Sequence, residues 1–229
     1  MDASSSIVAV VFDMDGVLVD TEHLWDKVRE ELTTEWGGRY TPEAQEAMMG
    51  MSSREWSRYL HEIVGLREQP ETINAEVVRR MLALYEVQLP VVPGAVGAVR
   101  RLHGEGLRLA VASSSNRELI DAVLRRLELT DLFAVTVSSE EVARGKPAPD
   151  VYLEAARRLG VAPSRCAAIE DSASGIRAAH AAGMRVLAYP NRRYPPPAEA
   201  LALADSMLDT VDEVPALLDR RNTHPAGSS

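Results

Sequence analysis

The sequence predicts an α/β fold: a Rossmann-like, doubly wound parallel sheet carrying an inserted small α-helical domain. Three observations predict it. Short β-branched runs are apolar without a break, as in strands buried on both faces. From residue 94 onward helical patterns fall between those runs, which implies βαβ units. Between the first run and the second, residues 20–90 show helical spacing and no convincing strand.

The first strand is Ile7 to Phe12, and the stretch "VVFDMDGVLVDTEH" drives it straight into Asp13 and Asp15. The insert follows, with Leu24, Val28 and Leu32, then Val77, Met81 and Leu84, at helical spacing. Met14 to Asp20 and Leu89 to Pro93 link it to the rest, so the core domain is expected at residues 1–19 and 91–229 and the helical domain at 20–90. The second strand is Leu107 to Ala112, followed by a helix with Leu119, Val123 and Leu127 on one face. "SNRE", Ser115 to Glu118, reads as a capping box opening that helix. Then come a strand at Ala134 to Val137, a helix at Val151 to Leu159 and a strand at Cys166 to Ile169. A helix at Ile176 to Ala182, closed by Gly183, leads to a strand at Arg185 to Tyr189 and a weaker one near Met207. The tail "NTHPAGSS" reads as disordered.

Composition narrows the function. The chain has 229 residues, 46% hydrophobic and 26% charged, which allows a substantial core. Acidic residues outnumber basic ones, 34 against 25, and no run of Lys or Arg forms a phosphate-tracking stripe, so nucleic acid is not an expected partner. The single cysteine, Cys166, lies in an apolar run and reads as a buried structural thiol. "MDASSSIVAVVF" lacks a basic leader, and its apolar run is too short to span a bilayer; a cytoplasmic protein without a membrane partner is expected, as a monomer or dimer.

Open parallel sheets bind ligands beyond the carboxyl ends of their strands. Those ends carry Asp13 and Asp15 after the first strand, "SSSN" (Ser113 to Asn116) after the second, Lys146 after the third, and Glu170 and Asp171 after the fourth. Each has a plain reading by itself: a polar turn, a helix cap, a solvated lysine, a helix N-terminal acid pair. Their convergence on one edge is what those readings do not account for.

Here the chain resembles the haloacid dehalogenase superfamily, in the branch that holds sugar-phosphate phosphatases and β-phosphoglucomutase-like enzymes. The four motifs "FDMDGVLVDTE", "VASSSN", "GKPAPD" and "IEDSASGIRAAHAAGM" stand in family order from Val10 to about Leu218. The resemblance implies a Mg²⁺-dependent phosphatase acting on a small phosphorylated metabolite, a sugar phosphate, through an aspartyl-phosphate. Asp13 is then the nucleophile and Asp15 the acid/base. Mg²⁺ would be held by Asp13, the Asp15 carbonyl and Asp171, with Glu170 direct or one layer behind. Lys146 would neutralise charge, aided by the cis Lys146–Pro147 peptide that family members often show, and Ser113 and Ser114 would bind phosphate. Gly16 lets the chain turn beside the nucleophile, and Gly145 serves close backbone approach.

The insert would close over the site, with Thr21, Glu22, Trp25, Ser52, Ser53 and Arg54, joined by Asn116, reading the substrate. The alternative is a phosphosugar mutase. The position where β-phosphoglucomutases place a cap-helix His holds Trp25, so that role looks vacant. Their cap-loop Lys and Arg correspond to Met49 and Ser53, with Arg54 one place late, so weak binding of a distal phosphate is expected, and Arg117 is a remaining cation. A phospho-accepting signalling module also joins strand-end carboxylates, a hydroxyl and a Lys, but such modules are shorter and lack both the insert and the second aspartate.

Overall fold

The computed structural model describes residues 6–218, so the tail expectation at "NTHPAGSS" lies outside the described residues. Strand β1 (Ala9–Phe12) leads into four consecutive helices, α1 (Glu22–Glu35), α2 (Pro42–Ala47), α3 (Ser53–Glu62) and α4 (Pro70–Val87). Then follow α5 (Ala95–Gly104), β2 (Arg108–Ser113), α6 (Arg117–Arg126), β3 (Val135–Ser138), α7 (Asp150–Leu159) and β4 (Cys166–Glu170). The described residues end with α8 (Ala173–Ala181), β5 (Arg185–Ala188), α9 (Ala198–Leu201), β6 (Ser206–Met207) and α10 (Val214–Leu218).

The six strands form a single parallel sheet in the order β3-β2-β1-β4-β5-β6. Val11 pairs with Ala110 on one side and Ala168 on the other. β1 therefore stands at the point where the winding reverses, and its carboxyl end opens into the crevice between β2 and β4.

Alternation along each strand sorts the core into two layers. Val10, Phe12, Leu109, Val111 and Ile169 face a cluster with α5 and α6 that runs on into the inserted helices. Ala9, Val11, Ala110, Ala112 and Ala168 face α7 and α8, whose own Ala155, Ala156, Ala178 and Ala179 are fully or almost fully buried. Small residues on both surfaces let these helices lie close on the sheet. Buried Cys166 belongs to this layer, and burial pushes its thiol up to about 11.

The four inserted helices run from Glu22 to Val87 and pack on one another. Leu24, Val28 and Leu32 of α1 meet Val77 and Met81 of α4 in the shared core. Thr41 caps α2 by accepting from the Ala44 N–H at 3.2 Å, with Pro42 at the first helical position. Glu55 accepts from Ser52 N–H and Oγ at 2.8 and 2.7 Å, so this serine is engaged in opening α3.

Two expectations change in detail. Helix α8 begins at Ala173, earlier than Ile176, because Ser172 Oγ accepts from the Gly175 N–H at 3.1 Å. The capping box at Ser115 to Glu118 does not form: Asn116 is the N-cap of α6, and Ser115 Oγ is drawn to Asp15 Oδ2 at 2.7 Å. No described helix is long and apolar enough to cross a membrane.

Candidate active site

Asp13 leaves the end of β1 with its N–H donating to the Ile169 carbonyl at 3.0 Å, which ties the ends of β1 and β4 together. The next residues turn back sharply. Gly16 has φ +84°, and a Cβ there would fall 1.9 Å from Asp171 Oδ2, so only glycine lets the loop pass this carboxylate.

Lys146 follows β3, after Gly145 and before a cis peptide to Pro147. Its ammonium donates to Asp13 Oδ1 and Glu170 Oε1, both at 2.6 Å. Glu170 is fully buried, and its oxygens also accept from Tyr152 OH at 2.5 Å, from the Asp171 and Ser172 amides at 3.2 and 3.3 Å, and from Ser172 Oγ at 3.1 Å. Glu170 is thus saturated by protein donors. It holds Lys146 in place from behind and, unlike Asp13 and Asp171, does not line the cavity. Gly175 makes room for it, since a Cβ there would lie 1.9 Å from Glu170 Oε1.

Asp13, Glu170 and Asp171 each offer an oxygen within 4.8 Å of the others. Burial, then repulsion from Asp13 and Glu170, pushes the Asp171 carboxyl well above its ordinary range. Burial likewise drives Asp13 up to about 8 against the pull of Lys146. A single ammonium cannot balance three buried carboxylates. Hard oxygen donors with a deficit of positive charge fit Mg²⁺, with Asp13 and Asp171 as the carboxylates that reach the cavity.

Asp15 points the other way. Its Oδ1 accepts from Thr21 Oγ1 and from Trp25 Nε1 at 3.1 Å, and its Oδ2 from Ser115 Oγ at 2.7 Å. Ser113, the last residue of β2, accepts the Ser115 N–H at 3.0 Å, and Ser114 Oγ donates to the Gly50 carbonyl of the cap at 3.3 Å.

These groups meet in a cavity of about 90 Å³. Asp13, Asp15, Ser113, Ser114, Lys146 and Asp171 line its core side; Trp25, Arg29, Met48, Met51 and Trp56 line its cap side. A larger cleft of about 610 Å³ adjoins it, lined by Gln45 and Pro195 to Pro197, but holds none of the strand-end acids or Lys146. The smaller cavity is where chemistry can occur, and Met49 and Tyr194 border both.

The haloacid dehalogenase-like hydrolase family matches residues 7–183 of this chain. The chain is a haloacid dehalogenase-like hydrolase. It falls in the branch of sugar-phosphate phosphatases and β-phosphoglucomutase-like proteins. It is 35% identical over 177 residues to a phosphorylated carbohydrates phosphatase of Thermotoga maritima, covering 77% of this chain and 82% of that one. Hexitol phosphatase B of Escherichia coli is 32% identical over 223 residues, 94% of this chain and 98% of its own. Among solved structures, CbbY from Rhodobacter sphaeroides in complex with phosphate superposes with a TM-score of 0.81 at 30% identity, covering 91% of this chain and 96% of that one.

In this hydrolase, several residues named from sequence stand away from the cavity. Ser53 Oγ and Asn116 Nδ2 both donate to Glu140 Oε1, at 2.9 and 2.8 Å, and Arg54 Nη2 donates to the Glu140 carbonyl at 2.9 Å. Ser53 and Arg54 thus tie the cap to the core, Asn116 shares their acceptor from the core side, Ser52 is engaged at the start of α3, and none of the four lines the cavity. Arg117 is engaged by the Thr136 carbonyl at 2.9 Å and by Glu141, so it supplies no cation here. Thr21 is fully buried behind Asp15. Glu22 does reach the cavity edge, with Oε2 accepting from Asn191 Nδ2 at 2.7 Å; burial and Asp15 push it up to about 7.

Other lining residues went unnoticed in the sequence. Asp26 Oδ2 accepts from Gln45 Nε2 at 2.5 Å and from Tyr194 OH at 2.8 Å, a contact across 168 positions that no local pattern announces. Arg29 stands in "WDKVREE", which looks like an ordinary charged helix face. The position at Trp25 that looked vacant is occupied in effect: its indole N–H holds Asp15 from the cap.

Proposed function

We propose that this chain hydrolyses the phosphate monoester of a small carbohydrate, with Asp13 as nucleophile, Asp15 as acid/base and Mg²⁺ as cofactor. The observation that carries the reading is the meeting of Asp13, Asp15, Lys146 and Asp171 in one small cavity under an apolar cap. The activities named for the Thermotoga and Escherichia relatives support the carbohydrate class.

Asp13 attacks phosphorus through a carboxylate oxygen; the ester P–O bond breaks and an aspartyl-phosphate forms. Lys146 shields the nucleophile, and Ser113 and Ser114 stand at the phosphate oxygens. When bound at Asp13 and Asp171, Mg²⁺ supplies the remaining positive charge that a dianion requires. Asp15 gives its proton to the departing alkoxide, then takes one from water as that water attacks phosphorus, frees inorganic phosphate and regenerates Asp13. Thr21, Trp25 and Ser115 hold Asp15 for both steps. A hydroxyl such as Ser115 can turn from donor to acceptor when Asp15 is protonated.

Trp25 weighs against the mutase reading. An indole N–H can hold Asp15 but cannot take up or release a proton near neutral pH. The deciding experiment is phosphate release from a panel of phosphorylated sugars and polyols with Mg²⁺ and with EDTA. Release that needs Mg²⁺ supports hydrolysis; conversion of β-glucose 1-phosphate to glucose 6-phosphate faster than phosphate appears would favour the mutase.

A further inference from the structure

Arg29 projects from α1 into the cap side of the cavity and is only 7% exposed. Its guanidinium carbon lies 4.8 Å from the Trp25 ring centroid and 4.9 Å from that of Trp56. A cation–π contact holds the guanidinium by charge, so its N–H donors still call for an acceptor. Nε is buried without a hydrogen-bond partner, and among the described residues the group makes no ion pair. The titratable groups around it are the Tyr40 hydroxyl, itself without a hydrogen-bond partner, and three carboxylates whose hydrogen bonds come from other donors. Asp26 is taken by Gln45 and Tyr194, Asp15 by Thr21, Trp25 and Ser115, and Glu22 by Asn191.

The neutral donors that hold those carboxylates leave their charge in place, so they balance Arg29 at a distance, but none pairs with it directly, and the guanidinium N–H groups facing the cavity are left without an acceptor. The reacting phosphate has Lys146, Ser113 and Ser114 on the core side. We infer that Arg29 is a specificity-determining residue that binds a second oxyanion on the non-reacting end of the substrate. The inference rests on the phosphatase reading above and narrows its substrate class to doubly anionic phosphomonoesters: a sugar bisphosphate or a phosphorylated sugar acid. It also replaces the expectation, drawn from Met49 and Ser53, that distal phosphate binding is weak. The planar fork suits carboxylate and phosphate alike.

The test compares kcat/KM, with Mg²⁺, for three substrates of equal carbon length: a polyol monophosphate, a phosphorylated sugar acid and a sugar bisphosphate. At least one doubly anionic substrate should exceed the polyol phosphate by about thirty-fold, mainly through KM. In Arg29→Met that ratio should collapse toward one, and Arg29→Lys should recover part of it. The sugar acid and bisphosphate arms identify the oxyanion. Circular dichroism checks folding, and if Arg29→Met does not fold, the wild-type ratio and Arg29→Lys still decide. A wild-type ratio near one, or an equal loss on all three substrates in Arg29→Met, would overturn the inference while leaving the phosphatase reading intact. No phosphate release from any of the three would overturn both.

Discussion

Asp13, Glu170 and Asp171 are three buried carboxylates gathered at one point, and the one ammonium there, Lys146, pairs with only two of them. Burial raises Asp13 to about 8 and Glu22 to about 7 from ordinary values of 3.8 and 4.5. The folded protein therefore binds these protons more tightly than the unfolded chain, so the stability they contribute is present below about pH 4 and lost as pH rises toward about 8. Surface acids held down to about 2, Glu76 and Glu154, titrate below that window. In EDTA the unfolding temperature should fall between about pH 5 and about pH 8, and Mg²⁺ should restore most at the alkaline end. A flat profile that Mg²⁺ does not alter would contradict this account. Gly16 tests the same cluster by geometry. Gly16→Ala forces a Cβ onto Asp171 at a backbone angle alanine avoids, so Mg²⁺ affinity measured by calorimetry should drop by about tenfold or more. Asp15→Asn should keep phosphate and Mg²⁺ binding while turnover falls by a factor of about 10²–10⁴.

Elements place these residues, and the sequence revealed strands more readily than helix starts. Apolar runs located β1 to β5 within a residue or two; in β1 and β4, buried along their whole length, they carry almost no polar interruption, while the edge strand β3 was found despite Thr136. The start of α6 was misread because Ser115 has two possible uses, capping the helix or holding Asp15, and only the fold brings Asp15 beside it. The cap–core seam was illegible for a similar reason. Glu140, in the turn after β3, gathers Ser53 and Arg54 from α3 and Asn116 from the start of α6, partners 24 to 87 positions away. Glu140→Ala should leave Ser53 and Asn116 without their shared acceptor and loosen the cap. We expect faster amide exchange in α3 and a KM raised by about threefold or more, with the unfolding temperature of the core little changed. Unchanged exchange in α3 would show that apolar packing alone closes this seam.

Across the whole molecule, the parallel sheet gathers four strand ends onto one edge and the cap shuts them from water, an arrangement suited to phosphoryl transfer in a dry pocket. The core side of the pocket was legible because Asp13, Ser113, Ser114 and Asp171 stand at or just past a strand end, with Asp15 and Lys146 in the loops that follow. The cap side was not. Arg29, Asp26 and Tyr194 gain their meaning only from partners on other elements, and in sequence they look like a charged helix and a loop tyrosine. The central claim is that Asp13 is phosphorylated during turnover. Quenching the enzyme in acid while it hydrolyses a sugar phosphate with Mg²⁺, then reducing with borohydride, converts an acyl phosphate to homoserine that peptide mass mapping can locate. The account predicts homoserine at position 13, none in EDTA, and no phosphate release by Asp13→Asn. Phosphate release at full rate from Asp13→Asn, or homoserine at another acid, would contradict it.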